Sequence, residues 1–161
     1  MPRNAALYDE DFFAWTEEQA QVLRAREFSH LDVENLAEEI EAMGKRLRRE
    51  LRNRLAVLTM QLLKWRYQPG HRSRSWSATV NEQRKQVADL LDESPSLKPV
   101  LARDLAKIYR SGVNQAVGET GFGEAAFPAD CPFTPEKILA EDFLPEDLDR
   151  TAGGAARRGK S

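Results

Sequence analysis

Between Asp32 and about Tyr67 the apolar residues Leu36, Ile40, Met43, Leu47, Leu51, Leu55, Leu58, Leu62 and Trp65 recur three or four positions apart without interruption. On a 3.6-residue repeat that spacing keeps one stripe on one side of a helix. Such a helix would be roughly 50 Å long at about 1.5 Å per residue. A single neighbour cannot cover it, so at least two later helices are expected to pack along it. No segment alternates with the two-residue rhythm of a strand, and there is no internal repeat. The predicted fold class is all-α, a single-domain helical bundle of four main helices around a long second helix.

Capping residues and prolines mark where the other helices begin and end. The first helix is expected from about Asp9, capped by Asp9, with Glu10 and Asp11 adding negative charge where backbone N–H groups are unpaired. Its inner face would carry Phe12, Trp15, Gln19, Val22, Leu23 and Arg26, and Asp32 would cap the long helix. Gln68-Pro69-Gly70 stops that helix, because Pro69 disfavours helical geometry at Gln68. Ser73 or Ser75 caps the third helix, with Trp76, Val80, Gln83 or Arg84, Val87, Leu90 and Leu91 inward. Ser94-Pro95-Ser96 ends it, and Ser96 opens a fourth helix that runs to a terminator at Gly121, with Pro99 in its first turn. Gly44 costs about 1 kcal/mol relative to alanine inside a helix. A close crossing by another helix would explain it, and so would simple tolerance.

After Gly123 prolines punctuate the chain, and one short helix, Pro135 to Ala140, is expected behind Thr134. Phe127, Phe133, Ile138, Leu139, Phe143 and Leu144 are too many large apolar groups for a solvated tail, so this Pro-rich C-terminal segment should pack against the helices. From Thr151 glycine, alanine and basic residues dominate. The expected organisation is one helical domain over 1–148 and a disordered basic tail over 149–161.

Charge and cysteine content narrow the function classes. With 24 basic against 26 acidic side chains and a net charge of -2, the chain is no dedicated polyanion binder, although a local basic patch is compatible with that balance. Cys131 is the only cysteine, which suits a reducing compartment. The first residues lack the apolar stretch of a signal peptide, and the most apolar run, Leu55 to Leu63, falls far short of the ~20 residues that span a bilayer. A cytoplasmic protein with no membrane association is expected.

Several groups of residues are candidate sites. Arg66, His71, Arg72, Arg74 and Trp76 crowd the bend at 66–76, with Arg84 one helix face further on. Cations interleaved with aromatic rings can bind phosphate, a nucleobase or an acidic partner. The bland alternative is that Trp65 and Trp76 pack across the bend while the arginines cover the rings. Lys45, Arg48, Arg49 and Arg52 fall opposite the apolar stripe and form an exposed basic face, suited to phosphate contacts or simply to solubility. Arg54 lies near the core direction and needs an acidic partner. Glu34, Glu38, Glu39 and Glu41 are read as dipole-matching or solvated, since no Glu-x-x-His pair supports a di-metal site. His30, His71 and Cys131 lack metal-ligand spacing, and no phosphate loop, nucleophile elbow or metalloprotease motif occurs. No metal, no cofactor and no catalytic residue is assigned.

The order of short motifs is more specific than the helices. Leu7-Tyr8-Asp9-Glu10-Asp11-Phe12 leads to Trp15, and Asn35-Leu36-Ala37-Glu38-Glu39-Ile40-Glu41 precedes Met43-Gly44. Leu62-Leu63-Lys64-Trp65, Gln68-Pro69, Ser75-Trp76, Gln83-Arg84 and Ser94-Pro95-Ser96-Leu97 follow. Glu119-Thr120-Gly121, Phe127-Pro128, Cys131-Pro132 and Phe143-Leu144-Pro145 complete the series. This succession resembles the bacterial domain-of-unknown-function family number 29 over roughly Leu7 to Pro145. The resemblance implies a small bacterial helical protein and brings no activity, substrate or cofactor with it. Relatives in that family often carry histidine before the Leu-Leu-Lys element, where this chain has Gln61.

The leading functional expectation is a non-catalytic protein–protein interaction or adaptor module, by self-association or with another protein. The alternative is a nucleic-acid-binding or regulatory protein that uses the Arg-rich loop 66–76 and the basic face of the long helix. An enzyme whose site assembles only in three dimensions ranks below both.

Overall fold

The computed structural model describes residues 3–145, so the tail expected over 149–161 lies outside the described residues. The helices are α1 (Arg3–Glu10), α2 (Phe12–Arg24), α3 (Val33–Tyr67), α4 (Arg74–Glu93), α5 (Pro99–Arg103), α6 (Leu105–Thr120) and α7 (Pro135–Leu139). Among the described residues there is no strand, and the fold is all-α with α3 as its longest element. The chain divides into two compact units, Met1–Leu47 and Arg48–Ser161, and α3 contributes residues to both.

The first unit is held by polar and aromatic contacts. Asp11, not Asp9, caps the helix that carries the aromatic face, its carboxylate accepting from Ala14 N at 3.0 Å. Asp9 lies inside α1, so two short helices stand where one was expected. α2 ends in a left-handed residue, Arg26 at φ 59°, with Glu27 N donating to Val22 O. That is the Schellman arrangement, in which glycine is usual. Trp15 is buried and donates its indole N–H to Asp32 Oδ2 at 3.0 Å, and Gln19 Oε1 accepts Asp32 N at 2.9 Å. Asp32 Oδ2 also accepts from the Asn35 side chain at 2.7 Å. Tyr8, Phe12 and Trp15 pack ring against ring, with centroids 4.9–5.7 Å apart.

The second unit is built on apolar burial. Leu51, Leu55, Leu58, Leu62 and Leu63 of α3 are buried with Val80 and Val87 of α4, and with Val100, Leu101, Ile108 and Val113 of α5 and α6. Each such side chain contributes about 1.5–3 kcal/mol relative to exposure. α6 approaches α3 closely at Gly112, where an added Cβ would lie 3.1 Å from Ala56 O and 3.2 Å from the Thr59 side chain. The close helix crossing therefore sits at Gly112. At Gly44, where it was one reading, an added Cβ meets nothing within 4 Å.

Other expected boundaries follow their physical causes. Ser73 caps α4 through Trp76 N at 3.1 Å, Thr134 caps α7 through Lys137 N at 3.3 Å, and Gly121 ends α6 at φ 75°. The fourth helix is broken at Asp104 into α5 and α6, and Ser96 lies within a 3-10 turn, Pro95–Leu97, instead of capping it. The Pro-rich segment does pack: Phe127, Phe133 and Ile138 are buried, and Leu139, Phe143 and Leu144 are partly so.

The stripe of α3 is covered along only part of its length. Its second half is buried, but Ile40, Met43 and Leu47 are 65%, 59% and 42% exposed. The reason is which side the first unit uses. The half-covered positions there are Asn35, Leu36, Glu39 and Ala42, a neighbouring face of the helix, and the Ile40 face is left open.

Candidate functional site

The bend at 66–76 is assembled from the end of α3 and the start of α4. Trp65 is buried, and Trp76 meets it edge-on with centroids 5.5 Å apart. Trp76 Nε1 donates to Gln61 Oε1 at 2.5 Å, and Lys64 Nζ lies 5.2 Å from the Trp76 ring while pairing with Glu119 at 2.6 Å. Arg72 donates Nε–H to Trp65 O at 2.7 Å, satisfying a carbonyl at the end of α3, and its guanidinium lies over the Trp65 ring. Arg66 covers the Tyr67 ring. Trp65, Trp76, Arg72 and Gln61 are thus brought together as packing. His71 and Arg74 remain on the exposed surface of the bend.

Arg84 lies on the inner side of α4, one of the two positions that the spacing allowed there, and is buried at 3% exposure. Its guanidinium donates to Ile138 O at 2.9 Å, Phe143 O at 2.8 Å and Glu141 O at 3.2 Å. Burial lowers its pKa from the usual arginine value, while the charge of Asp142 acts in the opposite direction. A group with this many backbone acceptors is a clamp on the C-terminal segment.

The basic face of α3 also changes membership. Lys45, Arg48 and Arg49 are exposed, whereas Arg52 is half-buried, 3.9 Å from Asp104. Arg54 finds the acidic partner it needs in Glu50 at 3.1 Å and also donates to Gln86. Glu39 accepts a 2.6 Å hydrogen bond from Tyr8, and that bond, the largest cause, raises the Tyr8 pKa to about 12. His30 pairs with Glu27 at 3.2 Å. Among the described residues no group of three or more His, Cys, Asp or Glu could hold a metal ion.

A cleft of about 970 Å³, which sequence reasoning missed, lies within the second unit between α6 and residues 124–131. Tyr109, Val113 and Phe127 line it, with Arg110, Asp130 and Cys131 among its polar neighbours. Tyr109 donates to Pro128 O at 2.5 Å, and burial pushes its hydroxyl up to about 12. Burial likewise raises the Cys131 thiol, which donates to Phe133 O at 3.3 Å. Both groups are therefore held protonated near neutral pH, and no histidine lines the cleft.

The other feature missed is where apolar side chains are exposed. Among the described residues the exposed large apolar ones Phe12, Phe13, Leu23, Phe28, Val33, Ile40, Met43 and Leu47 belong to the first unit, and Phe122 alone to the second.

The architecture is that of an all-helical protein without a convergent catalytic set among the described residues. The chain belongs to the family described as Domain of unknown function DUF29, which matches residues 7–144. No curated protein and no solved structure matches it. No helix among the described residues is long and apolar enough to cross a membrane.

Proposed function

We propose that this chain is a non-catalytic protein–protein interaction module whose binding face is the open side of the first unit. The single observation that carries this reading is the concentration of exposed apolar side chains there, with Val33, Ile40 and Leu47 repeating every seven residues along α3. A helix face with that periodicity is one that another helix can cover. Phe12, 48% exposed, adds to the exposed apolar side chains of the same unit and packs against Tyr8 and buried Trp15.

The test compares the wild-type chain with Ile40→Asp and Leu47→Asp. Both positions are exposed, so the isolated fold should change by less than about 0.5 kcal/mol in urea denaturation. In-cell crosslinking followed by purification should recover a defined partner, a second copy of the chain included, with the wild type and lose it with either variant. Recovery that is indifferent to both substitutions would overturn the reading.

A second reading, nucleic-acid binding, is favoured by the exposed row Lys45, Arg48 and Arg49. It is weakened because Arg72 and Arg84 are engaged with backbone carbonyls. Retention of DNA or RNA that falls steeply with salt, and less steeply after Arg48→Ala and Arg49→Ala, is its signature.

A further inference from the structure

We infer that the cleft beside Tyr109 is a binding site for a small organic cation, an ammonium group carried on an aromatic or aliphatic body. The cleft lies wholly within the second unit and makes no use of the open face of the first.

Size and stiffness come first. At about 970 Å³ the cleft falls at the upper end of the range of about 300–1,000 Å³ that small-molecule sites occupy. The wall formed by residues 124–131 is tied down without a ligand. Tyr109 donates to Pro128 O, the Cys131 thiol donates to Phe133 O, and Phe127 packs edge-on against Tyr67 with centroids 5.2 Å apart. A wall already ordered leaves little entropy to be lost on binding.

The floor sets the body of the ligand. Tyr109, Val113 and Phe127 line it and are themselves buried, so an apolar group seated there leaves water. Two of the three are aromatic rings, whose faces attract cations.

Charge sets the head. Arg110 stands on the α6 wall, and Glu124 and Asp130 stand on the other, so one cation opposes two carboxylates. All three are exposed, and among the described residues none of them is held in an ion pair. The Asp130 charge reaches the floor: burial is the main cause that raises the Tyr109 hydroxyl, and Asp130 adds to it. A charge felt by that hydroxyl is felt by a ligand lying over it, and a low-dielectric floor focuses the field. A bound anion would meet two like charges and one opposite; a cation meets the reverse. Arg110 directs the ammonium toward the 124–131 wall.

The experiment uses the full chain and three probes that share one body: phenylpropylamine, phenylpropanol and phenylpropanoate. At neutral pH they are a cation, a neutral molecule and an anion. In ligand-observed NMR titrations at low ionic strength the amine should bind about 10-fold more tightly than the alcohol, with the carboxylate weakest, and added salt should shrink the difference. Cys131, the only cysteine, reports the location: its alkylation by uncharged iodoacetamide should slow in proportion to occupancy by the amine.

Glu124→Gln combined with Asp130→Asn leaves Arg110 alone among the three charges, so the order of the probes should invert. Arg110→Gln should instead tighten the amine several-fold. Circular dichroism matching the wild type separates these effects from loss of fold. An alcohol that binds as well as the amine, or a carboxylate that binds better, overturns the cation assignment. An order of probes that survives the double substitution, Cys131 alkylation indifferent to saturating amine, or no binding of any probe at millimolar concentration overturns the site.

Discussion

The two units of this chain solve the same problem, holding helices together, by different means. In the second unit leucines of α3 meet valines and isoleucines of α4 to α7 in a dry cluster. In the first, the buried side chains among the described residues are Trp15, Gln19 and Asp32, two of them polar, and the large apolar residues are mostly exposed. A hydrogen-bonded unit with an apolar exterior has inverted the usual distribution. Stability is therefore stored mainly after Leu47, and surface chemistry is concentrated before it. α3 shows both regimes in one helix with one unbroken hydrophobic pattern.

The largest effect should come from Arg84→Met, which leaves three backbone carbonyls of the C-terminal segment without a donor. At about 1–3 kcal/mol for each stranded acceptor, a loss of about 4 kcal/mol or more is expected in urea denaturation. Lys45→Met on the exposed face should cost less than about 0.5 kcal/mol. Next, Leu58→Ala should destabilise by about 2–5 kcal/mol, whereas Ile40→Ala, on the same stripe, should stay within about 0.5 kcal/mol in dilute solution. Equal costs at the two positions would break the contrast between the halves of α3.

Two glycines sharpen the same contrast at a smaller scale. Gly112→Ala forces a Cβ against Ala56 O and Thr59 and should cost about 1–3 kcal/mol. Gly44→Ala meets nothing and should stabilise the monomer by up to about 1 kcal/mol through helix propensity.

The smallest effect is read spectroscopically. Tyr8 and Tyr109 both ionise near 12 instead of 10, the first because of its bond to Glu39 and the second because of burial. A phenol raised in this way contributes stability that is complete below about pH 10 and disappears as pH rises through about 12. In an absorbance titration at alkaline pH, Glu39→Gln should return Tyr8 toward 10 and leave Tyr109 late. If both move together, their causes are not separate.

Much of this fold could be read from residue order alone. The all-α class, the single helix to Tyr67, the caps at Ser73 and Thr134 and the stop at Gly121 depend on local rules that act within a few residues. Coverage of the stripe was not legible, because Ile40 and Leu58 are equally apolar and only the placement of distant helices distinguishes them. For Arg84 the spacing allowed an inward position, but its role was not legible, because the carbonyls that hold it lie 53 to 59 residues later. Arg54 could be anticipated because its partner Glu50 is one turn away. The cleft beside Tyr109 depends on how residues 124–131 fold back, which no periodicity encodes.

That long reach of Arg84 has a consequence for how the chain is made. As it leaves the ribosome, its guanidinium must wait for Phe143 to be synthesised 59 residues later. At about 5–20 residues per second the wait is about 3–12 s. A chain that ended before residue 141 is therefore expected to leave the Arg84 guanidinium without its Glu141 and Phe143 acceptors.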